Sequence, residues 1–214
     1  MNLSIRKLTP DLIGDYFDFF DHRAFSDGSL FYPCYCNGFN LSAEQIRDGL
    51  FARARACGGG AEGWKRALRE SAWQMVLDGR IQGYLAYDGG LCVGWCNAND
   101  RLSYYRVGEF DMDDLPEDAP ADDCPGRGVV KSVVCFEIAP THRGMGIAGK
   151  LLAQVCSDAA EEGYSRVEAY PRRQSDGALA FAGPLRLYEK AGFTEYARDG
   201  DTIVMRKALN GRGD

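Results

Sequence analysis

Hydrophobic positions along this chain follow two rhythms, and the sharpest change from one to the other lies between Val129 and Cys156. Val133-Val134-Cys135-Phe136-Glu137-Ile138 is an apolar run too short for a globular helix and is bounded by Pro140, so it reads as a buried strand. From Ile147 the apolar residues recur at Leu151, Val155 and Ala159, with Ala148, Leu152 and Cys156 beside them, which is the spacing of one helix face. Upstream, Leu3 to Leu8 predicts a first strand. Thr9 is placed to cap a helix with Pro10 at its first position, running to about His22 and carrying Leu12, Ile13, Tyr16, Phe17, Phe19 and Phe20. Ser42-Ala-Glu-Gln45 has the form of a capping box, opening a helix with Ile46, Leu50, Phe51 and Ala54 inward, stopped by Gly58-Gly59-Gly60. The next helix, about Ala61 to Met75, has Trp64, Ala67, Leu68, Ala72 and Met75 for its inner face. Ile81 to Asp88 and Leu91 to Asn97, joined by Gly89-Gly90, read as a hairpin. Ser165 to Tyr170 predicts another strand, Leu185 to Tyr188 opens a short helix closed by Gly192, and Phe193 to Ala197 pairs with Thr202 to Lys207 across Asp199-Gly200.

Between these elements lie two irregular stretches. Phe31-Tyr-Pro-Cys34-Tyr-Cys36-Asn-Gly-Phe39 is dense in aromatics, and Pro33 and Gly38 mark it as a loop. Residues 99 to about 128 carry Pro116, Pro120 and Pro125 and read as a long loop, a length that is usually functional or mobile. Eight acids and no Lys or Arg fall between Glu109 and Asp123, so of the net charge of −6 the rest of the chain carries about +2. A basic stripe for nucleic acid is therefore absent; the acidic stretch is either a solvated loop or a lure for a cationic acceptor.

Composition narrows the class. At 45% hydrophobic and 26% charged the chain is that of an ordinary soluble protein, and 214 residues suit a single domain. No apolar run approaches the roughly 18 residues needed to span a bilayer, and MNLSIRKLTP lacks the apolar centre of a signal peptide. A cytoplasmic location, no membrane partner and reduced thiols follow as expectations. Cys34 and Cys36 could begin a zinc site, but no second pair accompanies them and His22 and His142 are the only histidines, so no metal is expected. Their segment is read either as a loop tucked into the core by its aromatics or as a wall of an acceptor pocket.

Chemistry concentrates at Arg143-Gly144-Met145-Gly146-Ile147-Ala148, a glycine-bearing turn that opens a helix. Its unpaired backbone N–H groups and positive dipole end make a site for an anion such as pyrophosphate, with Gly144 and Gly146 allowing close approach and Arg143 adding charge. This run resembles the acyl-CoA loop of the GNAT (N-acetyltransferase) superfamily, Arg/Gln-x-x-Gly-x-Gly/Ala, matched here by Arg143, Gly146 and Ala148. Tyr188-Glu-Lys-Ala-Gly-Phe193 resembles the same superfamily's C-terminal helix-to-strand segment, and the Cys-x-Cys is similar to that of a subset of its bacterial members. The resemblance covers residues 75 to 208 well and the first 70 loosely.

The resemblance implies an α/β fold: a mixed, mostly antiparallel twisted sheet of about seven strands, flanked by helices and splayed at its central strands. It implies one domain over 1–214, with variable acceptor-side helices over 1–75 and a core over 76–208. By alignment, the backbones of Phe136 and Ile138 should pair with the pantetheine arm of acetyl-CoA, and Gly144, Met145, Gly146, Ile147 and Ala148 should cradle its pyrophosphate with Arg143. Tyr188 matches the tyrosine that many members use as proton donor to the departing thiolate. The base stays open. Ser132 and Val134 are not bases, Glu137 faces the side opposite Phe136 and Ile138 by alternation, and a water relay is an equal choice. Cys34, Cys36, Tyr84 and Asn97 are candidates for the acceptor pocket. The implied activity is acetyl-CoA-dependent N-acetylation of a small-molecule amine by a monomer or homodimer. The alternatives are transfer of another short acyl group or to a protein amine, a non-catalytic acyl-CoA sensor, kept open by the missing base, and a thiol- or metal-responsive protein built on Cys34 and Cys36.

Overall fold

The computed structural model describes residues 2–28, 34–107, 110–111, 130–173 and 181–209. Most of the acidic stretch, the Phe31–Pro33 part of the aromatic loop and the tail from Asn210 lie outside them. The chain opens with β1 (Leu3–Lys7), a 3-10 turn at Pro10–Leu12 and α1 (Ile13–His22). Thr9 makes no cap bond to the helix backbone; its side chain bonds the Asp11 carboxylate instead. The capping box forms as expected: Gln45 N–H donates to Ser42 Oγ at 3.1 Å and Ser42 N–H to Gln45 Oε1 at 2.9 Å. What it opens is a π-helical stretch, Gln45–Leu50, which passes into α2 (Phe51–Ala56). That wider winding shifts the helix phase, so Phe51, expected inward, is 48% exposed and packs at a tilt against Trp64. α3 (Gly60–Leu77) then packs so tightly on α2 that a Cβ on Gly63 would lie 2.5 Å from the Ala54 carbonyl oxygen.

The hairpin of β2 (Gly83–Asp88) and β3 (Leu91–Asp100) follows, with β3 three residues longer than its pattern indicated. A short ribbon, β4 (Arg106–Val107) with β5 (Phe110–Asp111), occupies part of the expected loop. β6 (Val130–Ile138), α4 (Ile147–Glu161), β7 (Arg166–Ala169), α5 (Leu185–Lys190), β8 (Thr194–Asp199) and β9 (Thr202–Ala208) complete the chain. Seven strands form one open sheet in the order β1-β2-β3-β6-β7-β9-β8, antiparallel throughout except for β6 beside β7.

Alternation along β3 assigns the two faces. Trp95 meets Tyr16 of α1 edge-on with ring centroids 5.0 Å apart, whereas Gly94 faces Ile147 of α4, so the two helices cover opposite faces. Tyr16, Phe17, Phe19 and Phe20 are all fully buried, each stabilising the fold by roughly 1.5–3 kcal/mol relative to an exposed position. The one parallel contact is short. β6 pairs with β7 only from Val130↔Arg166 to Val133↔Ala169, after which β7 ends at Tyr170-Pro171 while β6 runs on to Ile138. A buried polar cluster sits where the two strands part. Glu168, fully buried, accepts from Arg206 Nε at 2.7 Å, from the Tyr170 hydroxyl at 3.1 Å and from Arg101 Nη1 at 3.5 Å, and Ser132 and Tyr170 share a hydrogen bond of 2.7 Å. Among the described residues no helix is long and apolar enough to cross a membrane, and no group of three His, Cys, Asp or Glu side chains is placed to hold a metal ion.

Candidate active site

Beyond Val133 the edge of β6 has no strand partner on the β7 side among the described residues. Ala139 N–H donates to the Val93 carbonyl at 2.9 Å, which fixes the alternation: the main chain of Glu137 also turns toward β3, and the N–H and C=O groups of Phe136 and Ile138 turn away, into the gap. The Ile138 carbonyl agrees with this, because it accepts a bond from Arg143 Nε at 3.1 Å rather than from β3. A β-bulge sits at the start of the gap, where Asn97 pairs with Cys135 but Ala98 pairs with Val133, leaving Val134 as the extra residue. An extended, amide-bearing ligand could therefore add to β6 as a strand would.

One turn away, Gly144 (φ 77°) and Gly146 (φ 78°) take left-handed conformations that a side chain would resist, and α4 starts at Ile147. Ile147 is buried near the Ile138 side chain and so sets the helix N-terminus beside the open edge, while Met145 is exposed. The first intrahelical bond of α4 comes from Lys150 N–H to Gly146 O at 3.2 Å, so the N–H groups before it face outward for an anion. Arg143 turns away from that end. Its guanidinium bonds the Ile138 carbonyl and forms ion pairs with Asp27 and, at 3.4 Å, with Glu137.

Tyr188 is fully buried at the same gap. Its ring lies 6.5 Å from that of Phe136 and edge-on to Phe193, and its hydroxyl donates to the Ala182 carbonyl. Burial holds the phenol well above its ordinary pKa, so it keeps its proton and can act only as an acid near neutrality. Glu137 stands on the other face of β6. Alternation turns it to the side opposite Phe136 and Ile138; the structure agrees and pairs it with Arg143 of the turn, on the α1 face beside Cys135. Burial pushes its carboxyl up to about 7, against the pull of Arg143.

The four acceptor-pocket candidates do not stay together. Asn97 and Cys36 touch, with Asn97 Nδ2 3.3 Å from Cys36 Sγ, and Cys34 Sγ accepts from Cys36 N–H at 3.4 Å, all on the α1 face. Tyr84 faces α4, where burial and then the Asp158 carboxylate raise its hydroxyl far above the usual phenol range. A pocket lined by Leu41, Gln45, Arg53 and Met75 contains none of the expected site residues. Glu137 and Cys135 were the residues the sequence undervalued. Their strand alternation was legible, but not which helix covered each face.

Residues 50–193 match the model of the acetyltransferase (GNAT) family. The chain belongs to that family. No curated protein matches it. Among solved structures, PaiA N-acetyltransferase from Thermoplasma acidophilum, in complex with coenzyme A, aligns over 97% of this chain and 99% of its own at 14% identity and a TM-score of 0.52. YncA of Salmonella typhimurium, a putative acetyltransferase with its cofactor acetyl-CoA, aligns over 100% and 98% at 16% identity and a TM-score of 0.51. A phosphinothricin acetyltransferase from Sinorhizobium meliloti, in complex with acetyl-CoA, aligns over 98% and 89% at 16% identity and a TM-score of 0.51. At these identities the likeness is one of fold, and the shared GNAT sheet is what the three have in common with this chain.

Proposed function

We propose that this GNAT protein transfers the acetyl group of acetyl-CoA to the amine of a small molecule by direct attack on the thioester. The observation that carries the reading is the edge of β6, unpaired among the described residues, lying between the N-terminus of α4 and the buried ring of Tyr188. In this reading the main-chain groups of Phe136 and Ile138 hold the pantetheine arm, and the turn from Gly144 to Ala148 takes the pyrophosphate on backbone N–H groups. Bound acetyl-CoA supplies the activated acyl group. Arg143 adds its charge to the phosphates by leaving the Ile138 carbonyl, which frees that carbonyl for the arm.

Glu137 is assigned as the base. It is the carboxylate of β6 on the face of α1 and the Cys34–Cys36 segment, and a carboxyl raised to about 7 is matched to taking a proton from an ammonium group at neutral pH. Tyr188 is assigned as the acid: the proton it now donates to Ala182 goes to the departing CoA thiolate. The acceptor lies on the α1 side, lined by Cys34, Cys36 and Asn97; Tyr84 is left out because it faces α4. We read 1–214 as one domain, with residues 1–75 shaping the acceptor side and 76–208 the core, acting in the cytoplasm as a monomer or homodimer and grouped with the bacterial members that carry a Cys-x-Cys. A carboxylate on the acceptor face favours turnover over the acyl-CoA sensor reading.

Release of free CoA thiol, followed over a panel of small amines with acetyl-CoA, tests this. At least one amine should raise release well above the hydrolysis background; acetyl-CoA binding without stimulation by any amine would favour the sensor instead.

A further inference from the structure

The Cys34–Asn37 segment adopts a conformation that its role as a pocket wall does not require. Tyr35 (φ 43°) and Cys36 (φ 49°) are consecutive non-glycine residues in the left-handed region, at roughly 1–3 kcal/mol each, so the surroundings must hold them there. They do: the Tyr16 hydroxyl donates to the Tyr35 carbonyl at 2.6 Å, the Tyr35 hydroxyl to Asp21 at 2.5 Å and Asn37 Nδ2 to the Leu68 carbonyl at 3.0 Å. The result is a Cys36 thiol driven inward, 2% exposed, onto the sheet at Asn97.

Around that sulfur the groups are donors. The Tyr104 hydroxyl donates to Asn97 Oδ1 at 2.7 Å, which fixes the amide so that its NH₂ faces Cys36, reaching the carbonyl at 3.2 Å and Sγ at 3.3 Å. Two residues back on the same face, the fully buried Trp95 indole lies beside the same sulfur. Cys135, the cross-strand partner of Asn97, directs its thiol to Cys36. Burial alone would raise the Cys36 thiol, but hydrogen bonding by Cys135, Asn97 and Trp95 outweighs it and leaves Cys36 below the ordinary value despite the Glu137 carboxylate; Cys135, bonded to Cys36 and buried, goes up. Donors converging on one sulfur stabilise an anion, and a metal would instead need acceptors there.

We propose that Cys36 and Cys135 are a peroxide-reactive thiol pair, Cys36 the sulfur oxidised first and Cys135 the one that resolves it. The Cys36 thiolate attacks one oxygen of a hydroperoxide; the O–O bond breaks, a sulfenic acid forms on Cys36, and the other oxygen leaves as water or alcohol after taking a proton. The Cys135 sulfur then attacks the sulfenic sulfur, its proton leaves with the hydroxide as water, and the Cys36–Cys135 disulfide links β6 to the segment before α2. The hydroperoxide is the two-electron oxidant and the two thiols are the reductant.

The full chain treated with hydrogen peroxide, then alkylated and mapped by mass spectrometry, tests this. Expected are a mass lower by about 2 Da, a Cys36–Cys135 cross-linked peptide and reversal by dithiothreitol. Cys135→Ser should stop at a sulfenic acid that a cyclic dione captures on Cys36, and Cys36→Ser should leave Cys135 unreacted. A Cys34–Cys36 product, or loss of the Cys36 thiol no faster than that of Cys57, would overturn the pairing; both are read on the unsubstituted protein, so a variant that fails to fold does not decide the matter.

Discussion

In the mechanism we propose, Glu137 of β6 and Tyr188 of α5, lying on opposite faces of the sheet, divide the proton transfers between them. Glu137 faces α1 and is pushed up to about 7, so it must lose its proton before it can work as a base. The rate at saturating acetyl-CoA should therefore rise with pH through about 7, and Glu137→Gln should remove that limb and lower kcat by roughly 10²-fold or more; an unchanged pH profile in the variant would dismiss Glu137. The same shift has a stability consequence of definite sign. A carboxyl whose pKa rises from 4.5 on folding binds its proton more tightly in the native state, so its contribution is fully present below 4.5 and is lost as pH climbs through about 7. Tyr188 is the proposed acid at the other end. Tyr188→Phe keeps the ring against Phe136 and Phe193 and removes the proton, so kcat should fall roughly tenfold to a hundredfold with the KM for acetyl-CoA nearly unchanged; full turnover would return Tyr188 to a packing role. At this scale the sequence was only half legible. Alternation separated Glu137 from Phe136 correctly, yet the hairpin's own alternation could not say that Tyr84 faces α4 and Asn97 faces α1, because the facing partners are distant in sequence.

The parting of β6 and β7 is the element on which the open edge depends. Its brace is Glu168, buried between Arg206 and Arg101 at the last paired positions before the gap. Removing one partner of a buried ion pair strands the others, so Glu168→Ala should cost roughly 3–5 kcal/mol in urea unfolding, against about 0.5 kcal/mol or less for an exposed surface change. A loss below about 1 kcal/mol would mean that the cluster does not brace the fork. The strands and helices themselves were largely legible, since 2.0- and 3.6-residue periodicity follows directly from which side chains must be buried. The misses have local causes. A π-helical winding after the capping box turned Phe51 outward, and Thr9 found Asp11 in place of the helix backbone.

For the whole molecule, the order β1-β2-β3-β6-β7-β9-β8 with a single parallel pair puts a helix N-terminus beside a strand edge that is unpaired among the described residues, on a fold shared with the acetyltransferase structures. The two segments whose residues resembled the family, around Arg143 and Tyr188, border this gap, so the cofactor side we propose is the part to which the sequence could point. The proposed acceptor side could not be read in the same way, because α1, the Cys34–Cys36 segment and β3 meet through contacts that no short motif encodes. The central claim is that the open edge of β6 and the α4 N-terminus hold acetyl-CoA. Titration calorimetry of acetyl-CoA into the full chain tests it most directly. The account predicts one site per chain, weakened at least tenfold when Gly146→Asp puts a negative charge at the head of α4; no saturable binding, or equal affinity in the variant, would contradict it.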